Sequence, residues 1–404
     1  MPLKFAGLTC LVLMTLFAAA ARSAEVTIRF AVTVPRGTPE DAQVFLSGNL
    51  LELGAWQAAG KPLARADDGR YTLDVAVPKD SRLEYKFTLG AWESVEKTAT
   101  GGDVPNRTAV ADRDQMIAVT VASWADGAAA PPKEKKHTLT GNIRSLDDFE
   151  SKILDNRRPV WVYLPPGYDK SEGRRYPVLY MHDGQNCFDD ATSFAGEWKA
   201  DETAEALISA GKVEPIIIVA VANAGTQRMN EYTPMIDLRL GEGGNGDKYA
   251  RFLMTELKPF IDKTYRTMPD RDHTAVCGSS LGGLISIHIA RTYPDLVGLC
   301  GAVSPSLWWA NNTTVVTTEH DPAWTANCRI WLDMGTAEGA RLGTAEDLNI
   351  KAARDFAAAL QHAGRSVDHD YKYLEVEGAG HNEPAWADRF DDILLFLFPK
   401  NPND

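Results

Sequence analysis

Thr274-Ala275-Val276-Cys277-Gly278-Ser279-Ser280-Leu281-Gly282-Gly283 is the stretch whose reading decides the fold. Its first four residues are a short apolar run that reads as a buried strand. Beyond it, Leu284 to Tyr293 reads as a helix that stops at Pro294. A G-x-S-x-G pentapeptide by itself turns up by chance in many chains. Between a strand and a helix it becomes a sharp turn that lifts one serine clear of its neighbours. Glycines flank that serine because side chains there would strike the adjoining strand and helix. The serine in the middle is Ser280, the candidate nucleophile.

A serine hydroxyl needs an imidazole to take its proton and a carboxylate to orient that imidazole. After such a turn the partners follow in the order acid, then histidine. Arg329 to Met334 reads as a buried strand that opens into Gly335-Thr336-Ala337-Glu338. Glu338, just past the strand end, is the candidate acid; Asp333 is its rival but lies within the strand. Tyr371 to Val376 reads as the next strand and runs into Gly378-Ala379-Gly380-His381-Asn382. His381 is the candidate base. All three groups then sit at the C-terminal ends of strands, the edge where open α/β sheets build sites. An oxyanion needs donors too: the backbone N–H of Leu281, and one from the loop after an earlier strand. Val178 to Met181 is such a strand, and His182-Asp183-Gly184-Gln185-Asn186 its loop. Chain order sets His182 and Asp183 aside as loop-shaping residues.

At 404 residues the chain has room for two domains, and its 44% apolar and 24% charged residues suit a globular protein. A net charge of −13 disfavours nucleic acid and anionic membrane surfaces as partners. Lys4 followed by the apolar run Leu8 to Ala21 reads as a signal peptide over residues 1–24, so an exported chain is expected. No other run approaches the ~18 apolar residues of a membrane span. Beyond that segment the cysteines are Cys187, Cys277, Cys300 and Cys328, an even number that permits disulfides. The last three fall in or beside apolar strand runs, which favours core packing. No C-x-x-C or H-E-x-x-H pattern marks a metal site, and none is expected. Gly241-Glu242-Gly243-Gly244-Asn245-Gly246 matches G-x-G-x-x-G, but Asp237 to Leu240 before it is a poor strand. It reads as a loop before a helix, Asp247 to Tyr265, with Tyr249, Phe252, Leu253, Leu257, Phe260 and Ile261 on one stripe.

Val26, Ile28, Phe30, Val32 and Val34 alternate with polar residues. Val44 to Leu46, Tyr71 to Val77, Leu83 to Phe87 and Met116 to Val121 are further short strands with turns between them. Residues 25–124 are therefore expected to form a small antiparallel β-sandwich. Asp126 to Lys136, rich in Ala, Pro, Lys and Glu, reads as a linker, bounded at 125–137. From 138 to 404 strands alternate with helices, ending in helices near Leu348 to Leu360 and Ala385 to Phe398. The expected fold is an α/β hydrolase with a mostly parallel sheet flanked by helices, plus the N-terminal all-β sandwich.

From about Arg158 to Phe398 the chain resembles the putative-esterase group of α/β-hydrolases. That group includes siderophore esterases of the enterochelin type, feruloyl and acetyl-xylan esterases, and mycolyltransferases. His182 to Asn186, Gly278 to Gly283, Ser304-Pro305-Ser306-Leu307-Trp308-Trp309, Gly335 to Glu338 and Gly380-His381-Asn382 carry the resemblance. It implies a Ser280, Glu338, His381 triad with the backbone N–H groups of Gln185 and Leu281 as oxyanion donors. It also implies substrate contacts from Trp308, Trp309 and Arg228, the last in a loop, Arg228 to Pro234, similar to the substrate side of siderophore esterases. Glu25 to Trp124 resembles a family-20 starch-binding module through Gly48-Asn49, Leu53 to Trp56, Glu84 to Phe87 and Asn106-Arg107. Trp56 and Lys86 match positions that contact sugar in that family. Where the family has a second stacking Trp, this chain has Val95-Glu96, with Trp92 offset nearby.

The expectation is an exported serine esterase, acting on sugar-linked acyl, feruloyl or siderophore-type esters through an acyl-enzyme that water resolves. No cofactor is required. Its partners would be a small-molecule or glycan ester and, through the sandwich, a polysaccharide. Acyl transfer to sugar hydroxyls and glycan binding by an inactive hydrolase are the alternatives.

Overall fold

A computed structural model describes residues 25–39, 42–54, 56–66, 68–125, 136–193, 196–338 and 348–400. The segment read as a signal peptide and residues 126–135 of the expected linker lie outside the described residues. The chain divides into two compact units, Met1–Pro131 and Pro132–Asp404.

In the first unit the strands are β1 (Glu25–Thr33), β2 (Phe45–Gly48), β3 (Tyr71–Pro78), β4 (Arg82–Thr88), β5 (Arg107–Val110) and β6 (Gln115–Thr120). One sheet runs Ala64–Arg65, β3, β1, β6; the other runs Lys61–Pro62, β2, β4, β5. The alternation in β1 does what a period of two demands: Ile28, Phe30 and Val32 are buried while Thr27 and Arg29 are exposed. Phe30 meets Tyr85 edge-on, with ring centroids 5.0 Å apart, and so ties the two sheets together. Each such buried side chain contributes about 1.5–3 kcal/mol. One expectation fails. β1 and β6 are parallel, Ile28 opposite Gln115 through Thr33 opposite Thr120, so the sandwich is mixed rather than antiparallel. The chain crosses from the second sheet to the first between β5 and β6, and no hairpin imposes an antiparallel direction.

The second unit holds one eight-stranded sheet. Its strands are β7 (Asn142–Ser151), β8 (Asn156–Leu164), β9 (Val178–His182), β10 (Ile217–Val221), β11 (Thr274–Ser279), β12 (Leu299–Val303), β13 (Arg329–Gly335) and β14 (Tyr371–Val376). Their order is β7-β8-β10-β9-β11-β12-β13-β14. The β7–β8 and β8–β10 pairs are antiparallel and the rest are parallel. The parallel strands are apolar on both faces because helices cover both. In β10, Ile217, Val219 and Val221 feed one core and Ile218 and Ala220 the other. Helices α2 (Leu281–Thr292) and α3 (Leu348–His362) pack on the first face through Leu284, Ile285, Phe356 and Leu360. On the opposite face, α1 (Ala200–Ser209) and α4 (Phe390–Leu397) contribute Ala204, Ile208, Ile393 and Leu394.

Two helices depart from their expected form. The helix after the glycine-rich loop runs Gly246–Phe252, then a π-turn Leu253–Leu257, then Lys258–Thr264. The wider turn shifts the face by one position. Ile261 stays buried while Phe260 turns outward to 38% exposure. The expected Ala385 to Phe398 helix is two pieces, Glu383–Ala387 and α4, broken at Asp388 and Arg389. The glycine-rich stretch supplies the second strand of a small hairpin, Ile236–Asp237 against Glu242–Gly243.

Candidate active site

β11 ends at Ser279, and α2 begins at Leu281. Ser280 between them has φ 60° and ψ −122°, a left-handed conformation that costs a residue with a side chain of order 1–3 kcal/mol. Gly278 has no alternative: a Cβ there would lie 2.9 Å from the Gly282 carbonyl carbon. The turn thus needs glycine where chains cross and tolerates strain only at the residue it displays.

The three strand ends converge on that serine. Ser280 Oγ lies 2.9 Å from His381 Nε2, and His381 Nδ1 lies 2.8 Å from Glu338 Oε2. Ser306 Oγ is 3.3 Å from Ser280 Oγ on another side. The second oxygen of Glu338, Oε1, accepts from the Gly335 N–H at 2.8 Å and from the Ser304 hydroxyl. Burial raises the Glu338 pKa, but His381 beside it, with Ser304 and Gly335, outweighs burial and holds it below the usual carboxylate range. Glu338 is therefore an anion when its neighbours are in place.

Asp333 is built differently. It accepts from the Trp331 indole at 2.6 Å, from Arg389 Nη2 at 2.9 Å and from the Ser304 N–H at 3.1 Å. Burial pushes its pKa up against the pull of Arg389. None of its hydrogen bonds or ion pairs among the described residues reaches His381. Its partners instead converge on Ser304, whose φ of 43° is also left-handed. Arg389 Nη2 and Trp386 Nε1 donate to Ser304 Oγ at 2.7 and 3.0 Å, leaving the hydroxyl proton for Glu338. Asp333 therefore anchors Arg389, Arg389 orients Ser304, and Ser304 holds Glu338. Sequence reading missed Arg389 altogether, because it lies in a break between helices far along the chain.

The expected oxyanion donors both begin helical turns. Leu281 is the first residue of α2, and Gln185 lies in the turn Gly184–Asn186. N–H groups at a helix start have no partner inside the helix. β9 and β11 are neighbours, with Met181 opposite Cys277, so the two loops leave the sheet side by side. The Gln185 side-chain oxygen accepts from the Asn223 N–H at 3.2 Å, and its carbonyl accepts from Thr192 at 2.8 Å. Gly184 presses against β10, where an added Cβ would sit 2.5 Å from Val221 N.

Arg228 does not reach toward the nucleophile as a free cation. Its Nε and Nη2 both bond Asp183, each at 2.7 Å, and its guanidinium lies 5.2 Å over the Tyr232 ring. Burial alone would raise Asp183; the Arg228 charge outweighs it and holds the carboxyl low. His182 is buried, with Nδ1 2.9 Å from the Tyr249 hydroxyl, and burial takes its pKa down to about 4. Both residues shape the loop, as their place in the chain suggests. Of the tryptophan pair, Trp309 is buried with its indole N–H on the Met235 carbonyl at 2.7 Å. That leaves Trp308 as the exposed indole, two residues from Ser306.

In the sandwich, Trp56 is half-buried at a left-handed turn, φ 59°, and Lys86 is half-buried on β4. Trp92, offset from Val95 in sequence, lies beside Trp56, with ring centroids 6.5 Å apart at 38°. Glu96 is buried and paired with Arg107 at 2.7 Å. Trp92 opens the short helical turn Trp92–Ser94.

Residues 151–397 match the family model described as "Putative esterase", and residues 25–114 match that described as "Starch binding domain". An uncharacterised Bacillus subtilis protein, YbbA, is 25% identical over 61% of this chain and 94% of its own length. An endo-1,4-β-xylanase/feruloyl esterase of Xylanibacter ruminicola is 30% identical over 45% of this chain and 25% of that protein. The enterobactin esterase FES of Shigella flexneri superposes with a TM-score of 0.51 at 16% identity. That match covers 92% of this chain and 93% of the other, a likeness of fold.

Proposed function

This chain belongs to the esterase family matched over residues 151–397 and is a carboxylic ester hydrolase; on that premise we propose that it cleaves sugar-linked acyl esters through a Ser280–His381–Glu338 acyl-enzyme. The observation that carries the reading is the unbroken run from Ser280 Oγ to His381 Nε2 at 2.9 Å and from His381 Nδ1 to Glu338 at 2.8 Å. In that geometry His381 accepts the Ser280 proton as Oγ attacks the ester carbonyl. Glu338, an anion, fixes the imidazole tautomer and stabilises the imidazolium. The N–H groups of Leu281 and Gln185 receive the oxyanion. Collapse expels the alcohol, which takes the proton from His381. Water then attacks the acyl-enzyme by the same route in reverse.

A sugar-linked ester is favoured over a siderophore for three reasons. The feruloyl esterase relative and the match to a starch-binding domain both point to polysaccharide. The Trp56–Trp92 pair offers two indole faces for stacking pyranose rings. Arg228, which would hold an anionic catecholate, is already neutralised by Asp183. The segment from Lys4 to Ala21 supports export of the chain. The test is turnover of feruloyl-arabinose, acetyl-xylan and tricatecholate esters, with fluorophosphonate labelling of the native chain. Labelling at Ser280 and preference for a sugar-linked ester are expected. Label on another residue would reject the mechanism; preference for the tricatecholate would reject the substrate.

A further inference from the structure

Glu197-Trp198-Lys199-Ala200-Asp201-Glu202 places three carboxylates around the start of α1. One oxygen from each of Glu197, Asp201 and Glu202 lies within 4.8 Å of the others. Acids in a first helical turn are ordinary, since they complement the helix dipole. These are not ordinary in their hydrogen bonding. Asp201 is fully buried, and its Oδ1 is sealed from solvent with no donor reaching it; Glu202 Oε2 is in the same condition. The outer lone pairs are taken. Asp201 Oδ2 accepts from the Thr140 N–H at 2.6 Å, and Glu197 Oε1 accepts from the Thr138 hydroxyl at 2.7 Å. The Asp201 and Glu202 carboxyls lie against one another, and burial with Glu202 beside it pushes the Asp201 carboxyl up. No Lys, Arg or His pairs with the three among the described residues, and Lys199 between them is exposed.

Leaving a buried carboxylate oxygen without a donor costs several kcal/mol. A proton held between the acids, an enclosed water or a cation can relieve it. We propose that Glu197, Asp201 and Glu202 bind a hard divalent cation of the calcium class. All-oxygen carboxylate donors select such ions, and calcium accepts an irregular shell completed by water. The cation would staple residues 138–140, which lead into β7, to the start of α1. It would also brace the active site. Trp198 stacks against Trp386 at 6.0 Å, and Trp386 meets the His381 ring edge-on at 5.0 Å.

Trp198, adjacent to Glu197, supplies the test. The full chain is stripped with a chelator and titrated with terbium, a hard ion of calcium-like size, while tryptophan is excited. Saturable terbium emission, displaced by calcium, is expected, with the melting temperature rising by about 3 °C or more in saturating calcium. Asp201→Asn should weaken terbium at least ~10-fold. Glu202→Gln, at a partly exposed position, serves if Asp201→Asn does not fold. Two results would overturn the site: wild-type chain giving neither saturable emission nor a calcium-dependent melting shift, or undiminished emission from folded Glu202→Gln and Asp201→Asn. In those cases a shared proton or an enclosed water satisfies the oxygens instead.

Discussion

The two units solve the problem of displaying functional groups in opposite ways. In the hydrolase unit the groups stand at the ends of parallel strands, and the backbone itself aims them: Ser280 at φ 60°, Leu281 and Gln185 at helix starts. Behind them lies a closed network, Asp333–Arg389–Ser304–Glu338, with every distance near 3 Å or less. In the sandwich the candidate groups are side chains on turns, Trp56 and Trp92, which only need to be presented to a ligand. The lesson is that damage should propagate in the first unit and stay local in the second.

The largest expected effect is on the nucleophile. Ser280→Ala should lower kcat on a p-nitrophenyl ester by at least ~10³-fold and leave retention on starch unchanged. A loss under tenfold would end the comparison, because the displayed serine would then not be the one that reacts. Glu338→Gln should cost ~10²–10⁴ in kcat at unchanged KM, since the imidazole loses its tautomer lock. Asp333→Asn sharpens the contrast between the two acids. It should lower stability by about 3 kcal/mol, because buried Arg389 loses the nearer of its two carboxylate partners, Asp333 at 2.9 Å, and keeps only Glu338 at 3.7 Å, while reducing kcat much less. If Asp333→Asn abolished turnover in protein that melts like the parent, the acid would be Asp333.

Acid should separate the units next. His182 is neutral in the folded chain, with its pKa taken down to about 4, and protonates near 6.5 once unfolded. The unfolded chain thus binds more protons between those values. Hydrolase stability should fall as pH drops from about 6.5 to 4, by up to ~3 kcal/mol. His182→Asn should flatten that slope in a melting series; an unchanged slope would assign it elsewhere. The smallest effect is Trp56→Ala, expected to weaken starch retention about tenfold with ester turnover unchanged. Retention that survives it would move the sugar-binding surface away from the Trp56–Trp92 pair.

What could be read from the chain follows the same division. The elbow was legible because glycine is forced where β11 crosses α2, and the buried strands because both faces are apolar. The acid's position was legible from the strand end at Gly335. Ser304 and Arg389 were not, since 85 residues separate partners that touch at 2.7 Å. β7 escaped notice for another reason: as an edge strand with few buried residues it carries little apolar pattern. The direction of β6 was hidden because its partner in the same sheet, β1, is distant in sequence and no hairpin joins the two. Glu197, Asp201 and Glu202 look like ordinary helix-start acids until their missing donors are seen.

The cysteines give the chain a clock that only one unit can set. Cys187, Cys277, Cys300 and Cys328 are unpaired and buried, all in the hydrolase unit, and the sandwich from 25 to 124 contains none. Burial pushes every one of these thiols well above neutral range, Cys328 to about 12. A thiol that is neither ionised nor accessible does not react. Modification by a thiol reagent therefore waits for the hydrolase to open, and its rate times that opening while the sandwich keeps silent. An oxidising compartment that cross-links exposed thiols would find none of these four to join in the native state, and so through them would register only molecules that had already come apart.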